Sequence, residues 1–264
     1  MMDSSETKSR RPSASSVLPG TEQLIDGWPA AEPFFRGIDR AVGALSDNQT
    51  RGIAQLGRRI GRFIRFNRTR LARLFESLDD RARTAFALVP YLLHVNEPDL
   101  PGYVSSGRLT SHGVSQFEFN ETIQGALMTT TRRNSVRAPA TEFRPVIRSV
   151  FVVTDIGTMA QRPGDAVTLF LVADLRAMGE PLRRQLTRKL EEIINWSAQQ
   201  GLNLGFELID PAWSKEGDFG NLRGEKAIGM LLLERFYRNA IYLAGEIPVF
   251  WCTTPGSDAD KHEK

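Results

Sequence analysis

Cysteine is nearly absent from this chain of 264 residues, which has only Cys252. A single cysteine forms no internal disulfide, so the sequence predicts a protein of a reducing compartment and excludes a disulfide-stapled scaffold. Histidine is scarce as well, and His94, His112 and His262 do not have the spacing of a metal site. No glycine-rich phosphate loop of the Walker or dinucleotide-binding type occurs.

Long apolar runs are also missing. No stretch of 18 or more apolar residues exists, which argues against a membrane-spanning helix. The first residues are polar and lack the apolar core of a signal peptide. Hydrophobic residues make up 41% of the chain and charged residues 25%, as in an ordinary globular protein. We therefore expect a cytoplasmic protein.

Acidic residues are absent from one segment. Residues 51–75 hold eight arginines and no aspartate or glutamate, although the formal net charge of the whole chain is only +3. Apolar residues recur there at three- and four-residue steps, which predicts a helix with one apolar face. In one interpretation the basic surface binds nucleic acid or the anionic inner membrane. In the other, the apolar face packs on the domain and the arginines are solvated or paired with acidic residues. The basic surface includes Arg58, Arg59, Arg62 and Arg65.

The order of patterns along the chain predicts four parts. They are a disordered tail and linker (1–50), basic helices with a proline-rich turn (51–103), an α+β domain (104–256) and a polar tail (257–264). Asp79 is the expected N-cap of the second helix. Strands are predicted at Val146–Thr154, Val167–Ala173, Leu202–Leu208 and Ile247–Trp251, and helices at Ala82–Leu93, Phe117–Met128, Leu182–Ile194 and Ala227–Ala244.

Five blocks together resemble the N-terminal domain of class I adenylate cyclases, the enterobacterial type. They cover roughly residues 59–256 in matching order and spacing. The blocks are Phe66–Leu71, Val89–Val104, Glu191–Gly201 followed by Phe206–Asp210, Leu231–Arg238 with Leu243–Gly245, and Pro248–Trp251 with Pro255.

This resemblance implies a nucleotidyltransferase fold, related to DNA polymerase beta. Such a fold has a mixed sheet with flanking helices, here preceded by an N-terminal helical region. Family members are similar in placing a Gly-Ser turn before an Asp-x-Asp pair on a strand. The pair would hold two Mg²⁺ ions, which align the ribose 3′-oxygen with the α-phosphate of ATP and the departing pyrophosphate.

The expected Asp-x-Asp pair is missing from this sequence. One alignment places Ala166 and Thr168 at the two positions, and a shift by one residue places Val167 and Leu169 there. Gly157 and Thr158 stand weakly for the Gly-Ser turn that would bind nucleotide. Asp165 is the one carboxylate in reach as a metal ligand, and Glu207 and Asp210 on the next strand could join it. Asp210 could equally be a turn former at the end of that strand.

Two functions remain open at this stage. The first is a catalytically inactive paralogue with a binding or regulatory role linked to cAMP signalling. It would use no cofactor and not bind ATP, and its partner would be a full-length adenylate cyclase or another protein. The alternative is a residual adenylate cyclase that converts ATP to cAMP and pyrophosphate, with Mg²⁺ bound by Asp165 and either Asp210 or Glu207.

Overall fold

The computed structural model describes residues 65–105, 111–131, 138–139, 144–153, 162, 164–211, 236 and 238–246, which include four strands, four helices and further helical residues at 211, 236 and 238–239. Residues 65–77 form the described part of helix α1. The tail and linker 1–50, the strand Ile247–Trp251 and the tail 257–264 lie outside these ranges and stay predictions. The other elements, in chain order, are α2 (Asp80–His94), α3 (Glu121–Thr131), β1 (Ile147–Val152), β2 (Val167–Ala173), α4 (Glu180–Gln199), β3 (Leu204–Ile209) and β4 (Ile241–Gly245).

The strands form one mixed sheet in the order β3-β2-β1-β4. β1 is antiparallel to both β2 and β4, whereas β2 and β3 are parallel and joined through α4. Helix α2 contacts α3 and α4, and α4 contacts β3. The predicted α+β class with a mixed sheet and flanking helices is therefore confirmed.

Helix boundaries follow local signals in the sequence. Asp79 accepts a hydrogen bond from the backbone N–H of Ala82 at 2.9 Å, so the predicted N-cap of α2 is confirmed. Helix α4 ends before Gly201, whose φ of +79° is the left-handed conformation expected of a helix stop. Helix α3 begins later than predicted, because the Asn120 side chain caps it by accepting from Ile123 N–H at 2.9 Å.

One predicted element is wrong in its last part. The helix Ala227–Ala244 was expected to continue to Gly245, but Ile241–Gly245 is strand β4 and is buried throughout. Of the preceding residues, the structure describes Phe236 and residues 238–239 as helical. A continuous apolar run fits a buried helix or a buried strand equally well. Residues Ile241–Gly245 form a strand because they pair with β1.

The core is continuous across the described part of the chain. Apolar side chains from α1, α2, α3, α4 and all four strands belong to one buried cluster. Helix α1 contributes Leu71, Leu74 and Phe75 to it, each at most 1% exposed. No helix among the described residues is long and apolar enough to cross a membrane.

Candidate functional site

Strand β2 carries the two positions at which the sequence analysis expected metal-binding carboxylates. Successive side chains of a strand point to opposite faces. Val167 and Leu169 are fully buried on the core face, whereas Ala166, just before the strand, is exposed and Thr168 is half-buried. Only the alignment with Ala166 and Thr168 therefore places the two positions on an accessible face. We call this side of β2 the open face.

Aromatic side chains occupy the middle of the open face. Phe170 lies two residues after Thr168, and its neighbour across the ladder in β1 is Phe151. Phe236 covers both rings, stacked on Phe170 with centroids 6.3 Å apart and edge-on to Phe151 at 5.1 Å. An apolar cluster of this kind stabilises the sheet and offers no ligand to a cation.

Glu207 is the carboxylate that the structure places on the open face. It is the parallel neighbour of Phe170 in β3, while Gly205 is the neighbour of Thr168. Partial burial raises the pKa of Glu207 above its ordinary value. A carboxyl group that is harder to ionise is a weak ligand for Mg²⁺, which prefers sites rich in negative charge.

The structure does not bring Asp165 and Asp210 together. Asp165 precedes the start of the β2–β3 ladder at Val167, and Asp210 follows its end at Ile209. Five residue steps at about 3.3 Å each put at least about 16 Å of strand between them. Ligands of one magnesium ion lie within about 4 Å of each other, so these two carboxylates share no ion. Glu207 is also remote from Asp165, because it lies about 10 Å beyond the start of the ladder.

Both aspartates have visible structural partners. The exposed Asp165 accepts a hydrogen bond from the backbone N–H of Arg162 at 2.7 Å and so closes a turn. The buried Asp210 accepts from the backbone N–H of Arg176 at 2.9 Å, which ties the end of β3 to the loop after β2. The Asp210 bond joins residues 34 positions apart and is therefore a long-range contact, and the role of Asp210 as a local turn former stays a prediction.

Magnesium does not fit the residues of the open face. Ala166, Thr168 and Phe170 bring no charge to this face. Glu207 is the one carboxylate among these residues, and it is partly buried. Within the described ranges, no three histidine, cysteine, aspartate or glutamate side chains are close enough to hold a metal ion. Gly157 and Thr158, the positions of the expected Gly-Ser turn, lie outside those ranges.

A second polar region, which the sequence analysis missed, lies under the proline-rich loop (residues 95–104). The Lys189 side chain, 1% exposed, donates hydrogen bonds to the carbonyl oxygens of Val95 at 2.8 Å and Gly102 at 2.9 Å. Burial lowers the pKa of the Lys189 ammonium group to about 7. We call these contacts the Lys189 anchor, because they fix both ends of the loop to α4. The sequence pattern that could have pointed to Lys189 is its position within the apolar stripe of Leu186, Leu190 and Ile193, where a charged residue is unexpected.

Two further contacts close the proline-rich loop. The Asn96 amide donates to the carbonyl of Val104 at 2.8 Å and accepts from its N–H at 3.0 Å. Gly102 has φ +81°, and a Cβ atom there would lie 2.5 Å from Cγ1 of Ile193. The loop backbone therefore rests directly on α4, and the turn needs glycine for both reasons.

Two histidines stand beside this region in neutral form. The N–H of Val114 donates to Nδ1 of His94 at 3.1 Å, and the ring stacks on Phe117 with centroids 4.2 Å apart. Burial lowers the pKa of His94 to about 4. The pKa of His112 is also about 4, lowered by burial and then by the charges that Lys189 and His94 carry when they are protonated.

Helix α1 is attached to the sheet by its buried side. The Asn67 amide donates to the carbonyl of Tyr242 in β4 at 2.8 Å and accepts from its N–H at 2.7 Å. Leu71, Leu74 and Phe75 pack beneath it. The interpretation that the apolar face packs on the domain is thus confirmed for residues 65–77. Arg65 is exposed, whereas Arg58, Arg59 and Arg62 lie outside the described residues.

Comparison with known families decides the relationship. The family model described as "Adenylate cyclase NT domain" matches residues 55–251. The chain belongs to this adenylate cyclase N-terminal domain family. The match spans every described element from α1 to β4, and the resemblance to class I adenylate cyclases is confirmed.

Individual relatives agree with the family match. The chain is similar to the adenylate cyclase of Haemophilus influenzae (29% identity over 196 residues, 69% of this chain and 22% of the relative). It is also similar to those of Proteus mirabilis (28% over 195 residues, 72% and 22%) and Escherichia coli K12 (27% over 201 residues, 74% and 23%). The chain thus spans less than a quarter of the length of these adenylate cyclases. No solved structure matches it.

Proposed function

We propose that this member of the adenylate cyclase N-terminal domain family is catalytically inactive and has a binding or regulatory role linked to cAMP signalling. The observation that carries the proposal is the pair Ala166 and Thr168 on the open face of β2. These are the accessible positions at which the class I resemblance implies an Asp-x-Asp pair. Neither side chain brings the negative charge that divalent cations require.

The chemistry of cyclisation supports this conclusion. Attack of the ribose 3′-oxygen on the α-phosphate builds negative charge on the pyrophosphate that leaves, and nucleotidyltransferases neutralise that charge with two metal ions. Besides Glu207, whose pKa is raised by burial, the open face offers an alanine, a threonine and a phenylalanine. Of the other candidates, Asp165 and Asp210 accept backbone hydrogen bonds at opposite ends of the β2–β3 ladder.

The fold assignment within the α+β class is part of the proposal. We infer a nucleotidyltransferase fold for this sheet because β2, α4 and parallel β3 follow β1 in the order that the family resemblance implies. The packing residues of that scaffold are present, whereas the charged residues of its site are not. Such a scaffold suits recognition of another macromolecule, and a full-length adenylate cyclase in the cytoplasm is the partner we propose.

An assay of cyclase activity tests the proposal. The purified full chain, incubated with ATP and either Mg²⁺ or Mn²⁺, should form no cAMP above a protein-free blank. Detectable cAMP that disappears in the Glu207→Gln variant would overturn the proposal in favour of a residual cyclase. The Asp165→Asn variant is the matched control, because Asp165 closes a turn with Arg162 and is remote from Glu207.

A calorimetric titration with Mn²⁺ tests the missing pair directly. We expect no saturable binding to the native open face, but we expect binding after the double change Ala166→Asp and Thr168→Asp restores the expected pair of carboxylates. Strong binding to the unmodified chain that is lost on Glu207→Gln would contradict our account.

The regulatory role has its own experiment. Co-expression with a full-length class I adenylate cyclase should change the rate of cAMP accumulation without adding activity of its own. If the purified complex of the two proteins also shows the changed rate of cAMP formation, the full-length adenylate cyclase is the partner. Unchanged cyclase activity and no complex in size-exclusion chromatography would remove the regulatory part of the proposal.

A further inference from the structure

We propose that the solvent side of α1 docks onto an anionic phospholipid surface. This α1 arginine face consists of Arg65, Phe66, Arg68 and Arg73, all exposed. The proposal goes beyond the proposed function, since membrane docking and catalytic inactivity are independent of each other.

The orientation of the face is fixed by the packing of α1. Asn67 is hydrogen-bonded to the backbone of Tyr242, and Leu71 and Leu74 are buried in the core. With 3.6 residues per turn, position 65 lies on the opposite side of the helix from these buried residues, and positions 68 and 73 lie on its two flanks. The arginines are therefore spread across the solvent side of α1, and Glu76, at nearly the same angle around the helix axis as Arg65, is the one acidic residue of α1 in the described part.

Phe66 gives this face an apolar contact. Its side chain is 42% exposed, although most large apolar residues of the described chain are buried. The guanidinium of the buried Arg70 lies 5.5 Å from the centre of the ring and holds one side of it. Arginines beside an exposed aromatic ring suit the boundary of a bilayer, where headgroup phosphates lie next to acyl chains.

A lipid surface fits these observations better than nucleic acid does. Sequence-independent binding of single strands relies on open aromatic faces for base stacking, and Arg70 occupies one face of Phe66. The charge also continues in the sequence, because residues 51–64 add four arginines and no acid. Polybasic stretches of this size are attracted to anionic leaflets.

Vesicle co-sedimentation of the full chain tests the proposal. We expect binding to phosphatidylcholine vesicles that contain about 30% phosphatidylglycerol, little binding to pure phosphatidylcholine, and loss of binding between about 50 mM and about 500 mM salt. The triple variant Arg65→Gln, Arg68→Gln and Arg73→Gln should weaken binding by about 100-fold, because each arginine contributes about fivefold.

The matched control removes the same charge elsewhere. Arg81, Arg184 and Arg188 are exposed on α2 and α4, and their joint change to glutamine should alter binding by less than about threefold. Circular dichroism of both triple variants checks that they fold as the native chain does. Phe66→Ser should weaken binding by about tenfold and leave a more salt-sensitive remainder, because only the apolar contact is lost.

Three results would overturn the proposal. One is equal loss of binding in the α1 triple variant and its control. Another is equal binding to anionic and neutral vesicles. The third is binding to a DNA or RNA oligonucleotide that requires Arg65, Arg68 and Arg73 while anionic vesicles are not bound, which would assign the face to nucleic acid.

Discussion

The Lys189 anchor and the open face of β2 are opposite solutions to the placement of polar groups. At the anchor, a buried ammonium group satisfies two backbone carbonyls, and the Asn96 amide closes the same loop. On the open face, the positions that could carry two carboxylates hold Ala166 and Thr168 beside an aromatic cluster. Polar side chains are thus found where they build the structure and are missing where they would bind metal.

Polar groups that stabilise the fold and polar groups that serve catalysis are constrained differently on the same scaffold. The proline-rich loop cannot lose its polar anchors without leaving buried carbonyls unsatisfied, which costs free energy in every folded molecule. A catalytic carboxylate contributes nothing to folding and is often costly to stability. A chain that no longer catalyses a reaction can therefore keep the polar anchors of its loop and lose the carboxylates of its active site.

The largest effect should follow from removing the anchor. Lys189→Ala leaves the carbonyls of Val95 and Gly102 unsatisfied and opens a cavity, so we expect the free energy of unfolding to fall by about 4 kcal/mol. Lys189→Met keeps the methylene groups and should cost about half as much. Urea denaturation measures both, with the exposed neighbour Arg188→Ala as control at under about 0.5 kcal/mol. Equal stability of the Lys189 and Arg188 variants would break the comparison.

Acid should weaken the anchor region by a somewhat smaller amount. His94 and His112 have folded-state pKa values of about 4 and an ordinary value of 6.5, so the unfolded chain takes up protons first as the pH falls. Stability should therefore decrease from pH 6.5 to about pH 4, by about 3 kcal/mol for the deeply buried His94. Lys189 has a pKa of about 7 in the folded chain and an ordinary value of 10.5, so the unfolded chain also binds more protons above pH 7. The free energy of unfolding should therefore continue to rise as the pH increases from 7.

Urea denaturation at a series of pH values measures this dependence. His94→Gln removes one titrating group and should flatten the curve between pH 6.5 and pH 4, even though the variant is less stable overall. A native curve that stays level in that range would show that the two histidines are not held neutral.

Loop packing on α4 should have the next largest effect. Gly102→Ala meets both an unfavourable φ and a Cβ position 2.5 Å from Ile193, and should cost about 2–3 kcal/mol. Gly164 offers a matched control, since its φ is +84° but nothing lies within 4 Å of its Cβ position. Gly164→Ala should cost about 1 kcal/mol. Equal melting temperatures of the two variants would mean that the loop does not press on α4.

The smallest effect is expected on the open face. Thr168→Asp places a charge on a half-buried, accessible position and should change the free energy of unfolding by less than about 1 kcal/mol. Leu169→Asp on the core face of the same strand should cost more than about 4 kcal/mol, because it buries an unpaired charge. A large loss for Thr168→Asp would show that the open face does not tolerate the carboxylate that an active site requires.

Local patterns predicted much of the fold. The bounds of β2 follow from its run of apolar and β-branched residues, and the start of α2 follows from Asp79. The end of the sheet was harder to predict, because Ile241–Ala244 follows a helical segment and only the long-range pairing with β1 makes it a strand. Helix propensity and strand propensity do not differ enough in such a run to decide.

Some features of the candidate site could likewise be predicted from the sequence, and others could not. Loss of the Asp-x-Asp pair is visible in the sequence, since it depends on residue identity at two positions. The distance between Asp165 and Asp210 is not, because it depends on the parallel register of β2 with β3. The Lys189 anchor joins residues 87 and 94 positions apart, so no local pattern could have named its carbonyl partners.

The Asn67 amide has a consequence for self-association of the chain. Among the described strands β4 is outermost, and an outermost strand presents unpaired backbone groups that invite a strand from another molecule, the first step toward ordered aggregates. At Tyr242 both groups are already bonded to a side chain of α1. A foreign strand could pair with β4 at Tyr242 only after Asn67 had let go of it, so the arginine-bearing helix protects this point of the strand against polymerisation.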